Sequence, residues 1–203
     1  TRVGKDLITT IMNNRPYTSL TDFLNKVKVT KPQMVNLIKS GAFDSFGDRV
    51  EVMWQYIELI SEPKKRITLQ NMKALIDFKL LPEELDFECK VYNFNKYIKK
   101  FKEGKYYYLD EIAFNFYEKN FDMDKVEPYG DGFVIGQITW DNIYKKKMDK
   151  VRDYIKPHQQ ELLDGVNLRL KQDLWNKYCQ GNISKWEMDA VSCYFHEHEL
   201  ANV

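Results

Sequence analysis

The chain is 203 residues long, enough for one sizeable domain or two small ones, and its 43% hydrophobic and 30% charged residues fit a folded core under a polar surface. Only 9 Gly and 6 Pro stand against 12 Phe, 13 Tyr and 4 Trp, which favours helices over a β-sandwich, and no apolar run reaches the length of a membrane span. The net charge of +1 hides an asymmetry: residues 1–50 hold eight basic and four acidic groups, a surplus that suits a polyanionic partner.

In chain order, residues 5–14 place Leu7, Ile8, Ile11 and Met12 on one helical face, and Arg15-Pro16 ends that helix. Ser19, three residues before Asp22, reads as the N-cap of a helix with Leu20, Phe23, Leu24 and Val27 inward. Thr30-Lys31-Pro32-Gln33 is a capping box with proline in the first turn, opening a third helix that Ser40-Gly41 closes. From about Asp48 to Ile60 a helix is apolar nearly all round, which predicts a buried, central position. Residues 61–66 read as a linker and predict a boundary between 1–62 and 63–203.

Beyond it, the pattern predicts helices near 69–80, 82–101, 107–119 and 140–155, with one hairpin or short strand over 127–138. A helix over 167–179 and another opened by Ser184-Lys185-Trp186-Glu187, ending near Tyr194 or Phe195, complete the chain. The expected fold is therefore mainly α: a compact N-terminal module followed by a helical extension with at most a short β-hairpin. Cys89, Cys179 and Cys193 are odd in number and widely spaced, which argues against a disulfide framework and for a reducing, cytoplasmic setting.

Three short helices joined by tight basic hairpins suggest tandem helix-hairpin-helix units. Such hairpins direct backbone N–H groups and helix N-termini at phosphates without regard to base sequence. Residues 18–49 (TSLTDFLNKVKVTKPQMVNLIKSGAFDSFGDR) resemble a region of the alpha subunit of bacterial DNA polymerase III. The shared features are Val3-Gly4, Ser19-Leu20, Asp22-Phe23, Leu37-Ile38 and Gly41-Ala42-Phe43-Asp44. Residues 186–200 (WEMDAVSCYFHEHEL) are similar to a second stretch of that family, which precedes its oligonucleotide-binding barrel. The departures are Arg2 in place of the first hairpin glycine, a second hairpin (Val29-Thr30-Lys31) without glycine, and Glu199 in place of a proline.

The resemblance implies a parent that is a template-directed deoxynucleotidyltransferase, with Mg²⁺-binding carboxylates in a palm outside this chain and no cofactor within it. It implies that this stretch grips primer-template duplex behind the active site, beside other polymerase domains and a sliding clamp. The expected contacts are Val3, Gly4, Lys5, Thr30 and Lys31 at the hairpins, with Arg15, Lys28 and Arg49 as flanking charge. Gln159, Leu162 and Leu163 are the nearest match to the family's clamp-binding peptide, against the alternative that they start a helix. The other open reading is a protein-docking module with no DNA binding of its own.

Three further constellations are weighed. Asp122-Met123-Asp124 has the paired carboxylates a two-metal centre needs, but no surrounding palm-like strands. Cys193, His196 and His198 lack a second ligand pair, His158 and Cys179 being lone residues, so no zinc site is expected. Residues 92–108 (YNFNKYIKKFKEGKYYY) could stack unpaired bases, or form an amphipathic helix with Tyr92, Phe94, Tyr97, Ile98 and Phe101 inward.

Overall fold

The computed structural model describes residues 4–100 and 105–192, with the backbone alone at 99 and 100. It is mainly helical, with ten α-helices and four strands among the described residues. They divide into two compact units: one from Thr1–Pro63 together with Asn167–Val203, the other from Lys64–Val166. The stretch expected to form a single extension from 63 onward is thus split, its last part joining the N-terminal module. No helix among the described residues is long and apolar enough to cross a membrane.

The first unit contains α1 (Lys5–Asn13), α2 (Leu20–Lys26), α3 (Lys31–Lys39), α4 (Arg49–Ile60), the later part of α9 (Gln159–Tyr178) and α10 (Ile183–Val191). Its helix starts follow the sequence closely, because caps are local. Ser19 accepts from the Asp22 amide. Thr30 and Gln33 form a complete capping box, and Asp48 caps α4. Met34, Ile38, Val52, Met53 and Ile57 are essentially inaccessible, and Phe23 packs edge-on against Tyr17 and Phe43. The helix expected to be apolar all round is instead one-sided. Trp54 and Leu59 are exposed, and Trp54 stacks on Trp175 with ring centroids 4.3 Å apart.

A charge cluster around the buried Arg49 explains Gly41-Ala42-Phe43-Asp44. Arg49 is 5% exposed. Its guanidinium donates to both carboxylate oxygens of Asp44, to Glu187 on α10 at 3.0 Å and to the Lys39 carbonyl at 3.3 Å. The hydrogen bond to Asp44 raises the Arg49 pKa, so the charge is held. Gly41 has φ +80°, and a Cβ there would lie 2.5 Å from the guanidinium. Glycine therefore serves both the turn and the arginine. Phe43 enters the core, and Asp44 is the arginine's partner.

Glu187 was expected to complete a capping box from Ser184. Asn182 takes the cap instead, accepting from the Lys185 amide at 3.0 Å, and leaves Glu187 to Arg49.

The second unit contains α5 (Met72–Asp77), α6 (Asp86–Phe94), β1 (Lys99–Lys100), β2 (Tyr106–Leu109), α7 (Glu111–Asn120), β3 (Val126–Tyr129), β4 (Gly132–Gly136), α8 (Gln137–Ile155) and the start of α9. The strands form one antiparallel sheet in the order β1-β2-β4-β3. The hairpin over 127–138 is present, turned at Gly130 with φ +59°. The sheet nevertheless exceeds the single hairpin expected, because 106–109 pairs with β4 rather than continuing a helix. Three successive tyrosines suit a pleated, half-buried surface. Asp110 then caps α7, accepting from the Ala113 amide at 3.0 Å.

The core joins Val91, Phe94, Leu109, Ile135, Tyr117 and Trp140, whose indole donates to Asn95 at 2.8 Å. Phe114 and Phe133 stack at 3.7 Å.

Candidate nucleic-acid interface

The two hairpin-proximal helix starts differ in chemistry. At α1, Gly4 is the N-cap, no side chain caps the helix, and a Cβ at Gly4 would meet nothing within 4 Å. Among the described residues, no side chain accepts from the first-turn amides of Lys5, Asp6 and Leu7, at the positive end of the helix dipole. Gly4, Lys5 and Asp6 are exposed.

At α3 the donors are used internally. The Thr30 amide donates to Gln33 Oε1 at 2.9 Å, and the Gln33 amide donates to Thr30 Oγ1 at 3.4 Å. Pro32 has no N–H, which leaves the Lys31 amide in that first turn.

Exposed cations flank both starts. Lys5, Arg15, Lys28 and Lys31 are exposed, and no ion pair holds any of them among the described residues. Arg15 also borders a cavity of about 370 Å³ lined by Ile11, Tyr17, Phe43 and Phe46. Val3 lies outside the described residues. Arg49 does not join the group: it is buried and paired with Asp44 and Glu187, so it is a structural cation and not flanking charge for a phosphate. Sequence reasoning missed this because Glu187 is 138 positions away.

The expected clamp-binding string is the first turn of α9. The Gln159 side chain is bonded in both directions to Ile67, accepting from its amide at 2.6 Å and donating to its carbonyl at 3.0 Å. Leu162 is 2% exposed and Leu163 half-buried. The polar and apolar groups a clamp would take are already used by the fold, which corrects the clamp-peptide expectation for these residues.

Asp122 caps a 3-10 turn, accepting from the Asp124 amide at 3.1 Å, and both residues are exposed. No group of three or more His, Cys, Asp and Glu that could hold a metal occurs among the described residues. His158 stacks on Tyr154 and bonds its carbonyl, Cys179 is buried, and Cys193, His196 and His198 lie outside the described residues.

The 92–108 segment is not one amphipathic helix. Phe94 is buried and Ile98 packs on the core, but Tyr97 is exposed and the chain turns into β1 and β2. Phe101 lies outside the described residues.

Residues 1–52 match a family model described as a helix-hairpin-helix motif. The N-terminal part of the first unit thus carries a helix-hairpin-helix motif. Across 99% of its length the chain is 37% identical to "Probable DNA polymerase YorL" of Bacillus subtilis (strain 168), and equally to "DNA-directed DNA polymerase" of Bacillus phage SPbeta. The chain is homologous to a segment of these phage and prophage DNA polymerases, in line with the resemblance of its motifs to the polymerase III alpha subunit. It spans 16% of the length of these relatives. No solved structure matches.

Proposed function

We propose that the helix-hairpin-helix unit binds the backbone of duplex DNA without base specificity, within a polymerase III alpha-like DNA polymerase. There it would hold primer-template in register and support processive synthesis by a palm outside this chain, with Mg²⁺ at that palm. The observation that carries this is the α1 start: among the described residues its first turn has no side-chain cap and nothing stands against Gly4, beside exposed Lys5 and inside the matched motif. Phosphate oxygens need donors and positive charge, and this helix end offers both. Arg15, Lys28 and Lys31 add exposed cations, whereas Thr30 contributes by fixing the second turn.

The test is fluorescence anisotropy of the 203-residue chain with duplex of arbitrary sequence across a salt series, beside a Lys5→Glu/Lys31→Glu variant. The expected result is binding that ignores sequence, weakens with salt by about 0.9 log units per phosphate contact per log unit of salt, and falls in the variant. Binding that the variant leaves unchanged would remove the hairpins from the interface.

A second reading is favoured by α1 itself. It has no fully buried residue, and Ile8 and Met12 are 46% and 60% exposed. In that reading this face docks another polymerase domain or a sliding clamp. An Ile8→Ser/Met12→Ser variant separates the two, losing protein association while keeping duplex affinity.

A further inference from the structure

The sheet of the second unit has two unlike faces. Register puts Tyr107, Leu109, Ile135, Phe133 and Val126 on one side, where Leu109 and Ile135 are in the buried core and the other three pack against it, partly buried. On the other side, Tyr108 aligns with Val134 and Glu127, Tyr106 with Gly136, and Tyr129 with Gly132. Tyr106 is 42% exposed and Tyr129 49% exposed.

Between these two tyrosines the floor is low. A Cβ at Gly132 would lie 2.3 to 2.7 Å from the Tyr108 ring, so that ring rests on the glycine, with its hydroxyl 3.3 Å from Asp131. Tyr106 and Tyr108 are about 7 Å apart along the strand, and β2 and β3 about 10 Å apart across β4. The outcome is a shallow aromatic surface with one exposed ring near each end.

Its borders are basic. Lys105 precedes Tyr106 and Lys125 precedes β3, and both are exposed. The acidic neighbours are Glu127 and Asp131, the latter bonded by Tyr108.

We propose that this outer face binds single-stranded DNA, with Tyr106 and Tyr129 stacking on bases and Lys105 and Lys125 meeting the backbone. Aromatic faces accept any base, and lysines follow phosphates, so the site is tolerant of sequence. A duplex hides its base faces and does not satisfy it. The proposal takes from the proposed function only the premise that the chain works beside DNA. It involves a different unit and different residues.

The experiment titrates the 203-residue chain into a fluorescein-labelled oligothymidylate and, separately, into duplex. The variants are Tyr106→Ala/Tyr129→Ala, Tyr106→Phe/Tyr129→Phe and Lys5→Glu/Lys31→Glu. Circular dichroism checks that each is folded.

The expected result is single-strand affinity at least about tenfold weaker in the alanine variant, near wild type in the phenylalanine variant and unchanged in the lysine variant. Duplex affinity is then insensitive to the tyrosine variants. Absence of oligothymidylate binding at low salt, or equal affinity of the alanine variant, overturns the proposal and leaves the face to a protein neighbour. Failure of the lysine variant to lose duplex binding counts against the hairpin reading alone.

Discussion

Helices α1 and α3 lie in the same unit, yet they are held in opposite ways. The α3 helix is fixed at both ends: a capping box consumes the amides of Thr30 and Gln33, and Arg49 bonds the Lys39 carbonyl at its last turn. It buries Met34, Val35 and Ile38. The α1 helix has no side-chain cap and no fully buried residue. A helix end whose donors are satisfied internally contributes stability but offers little to a ligand, whereas an open end does the reverse. In the proposed duplex contact the second hairpin would supply rigidity and lysine charge, and the first would supply backbone donors.

The largest expected effect comes from cutting the α3 anchor at its far end. Glu187→Ala leaves the buried Arg49 with Asp44 and the Lys39 carbonyl and is expected to cost about 3 kcal/mol of unfolding free energy. Lys5→Ala, at the open end, is expected to change stability by less than about 0.5 kcal/mol. Urea denaturation of the two variants checks the contrast, and equal losses would erase it.

Alkali tests the same core from another side. Burial pushes the Cys179 thiol from 9.0 up to about 11, and burial pushes the Tyr56 hydroxyl from 10.0 to about 12. Both folded values lie above the unfolded ones, so the stabilisation is complete below about pH 9. It is lost progressively as pH rises through 11 to 12, as the unfolded chain releases protons that the native chain keeps. Denaturation midpoints that stay level from pH 8 to 11 would contradict this burial.

Removing the cap is a smaller change. Thr30→Ala is expected to cost about 1 kcal/mol, and Ser19→Ala a similar amount. Gly4→Ser gives α1 the cap it lacks and is expected to gain a few tenths of a kcal/mol while weakening duplex binding, since the new hydroxyl competes for the same amides. Smallest in energy, though direct, is amide exchange: α1 is expected to exchange faster than α3 throughout, because few buried contacts oppose its opening. Protection of α1 equal to that of α3 would remove the distinction.

What the sequence revealed follows from the range of each interaction. Ser19 with Asp22, and Thr30 with Gln33, act over three residues, and both starts were readable from the order of residues alone. The mainly helical class and the 127–138 hairpin were legible for the same reason.

The role of Arg49 was not, because its partner Glu187 arrives from the far end of the chain, and a lone arginine beside an aspartate resembles surface charge. Tyr106–Leu109 was read as helix because its pairing with β4 crosses α7, and an aromatic run has no period of its own to declare. Gln159 and Leu162 matched a peptide pattern, yet tertiary packing had already used both. Of the proposed interface, the sequence reading named Gly4, Lys5, Lys28 and Lys31 as expected contacts, and the structure leaves all four exposed. It did not distinguish an open helix end from a closed one, which depends on where side chains turn.

The most direct test of this account separates the two hairpins. Lys5→Glu and Lys31→Glu, made singly, are titrated with duplex DNA by anisotropy across a salt series. The account predicts the larger loss of affinity for Lys5→Glu, with a salt slope reduced by about 0.9 for the contact removed, and a smaller loss for Lys31→Glu. A dominant loss at Lys31, or duplex binding indifferent to both substitutions, would contradict it.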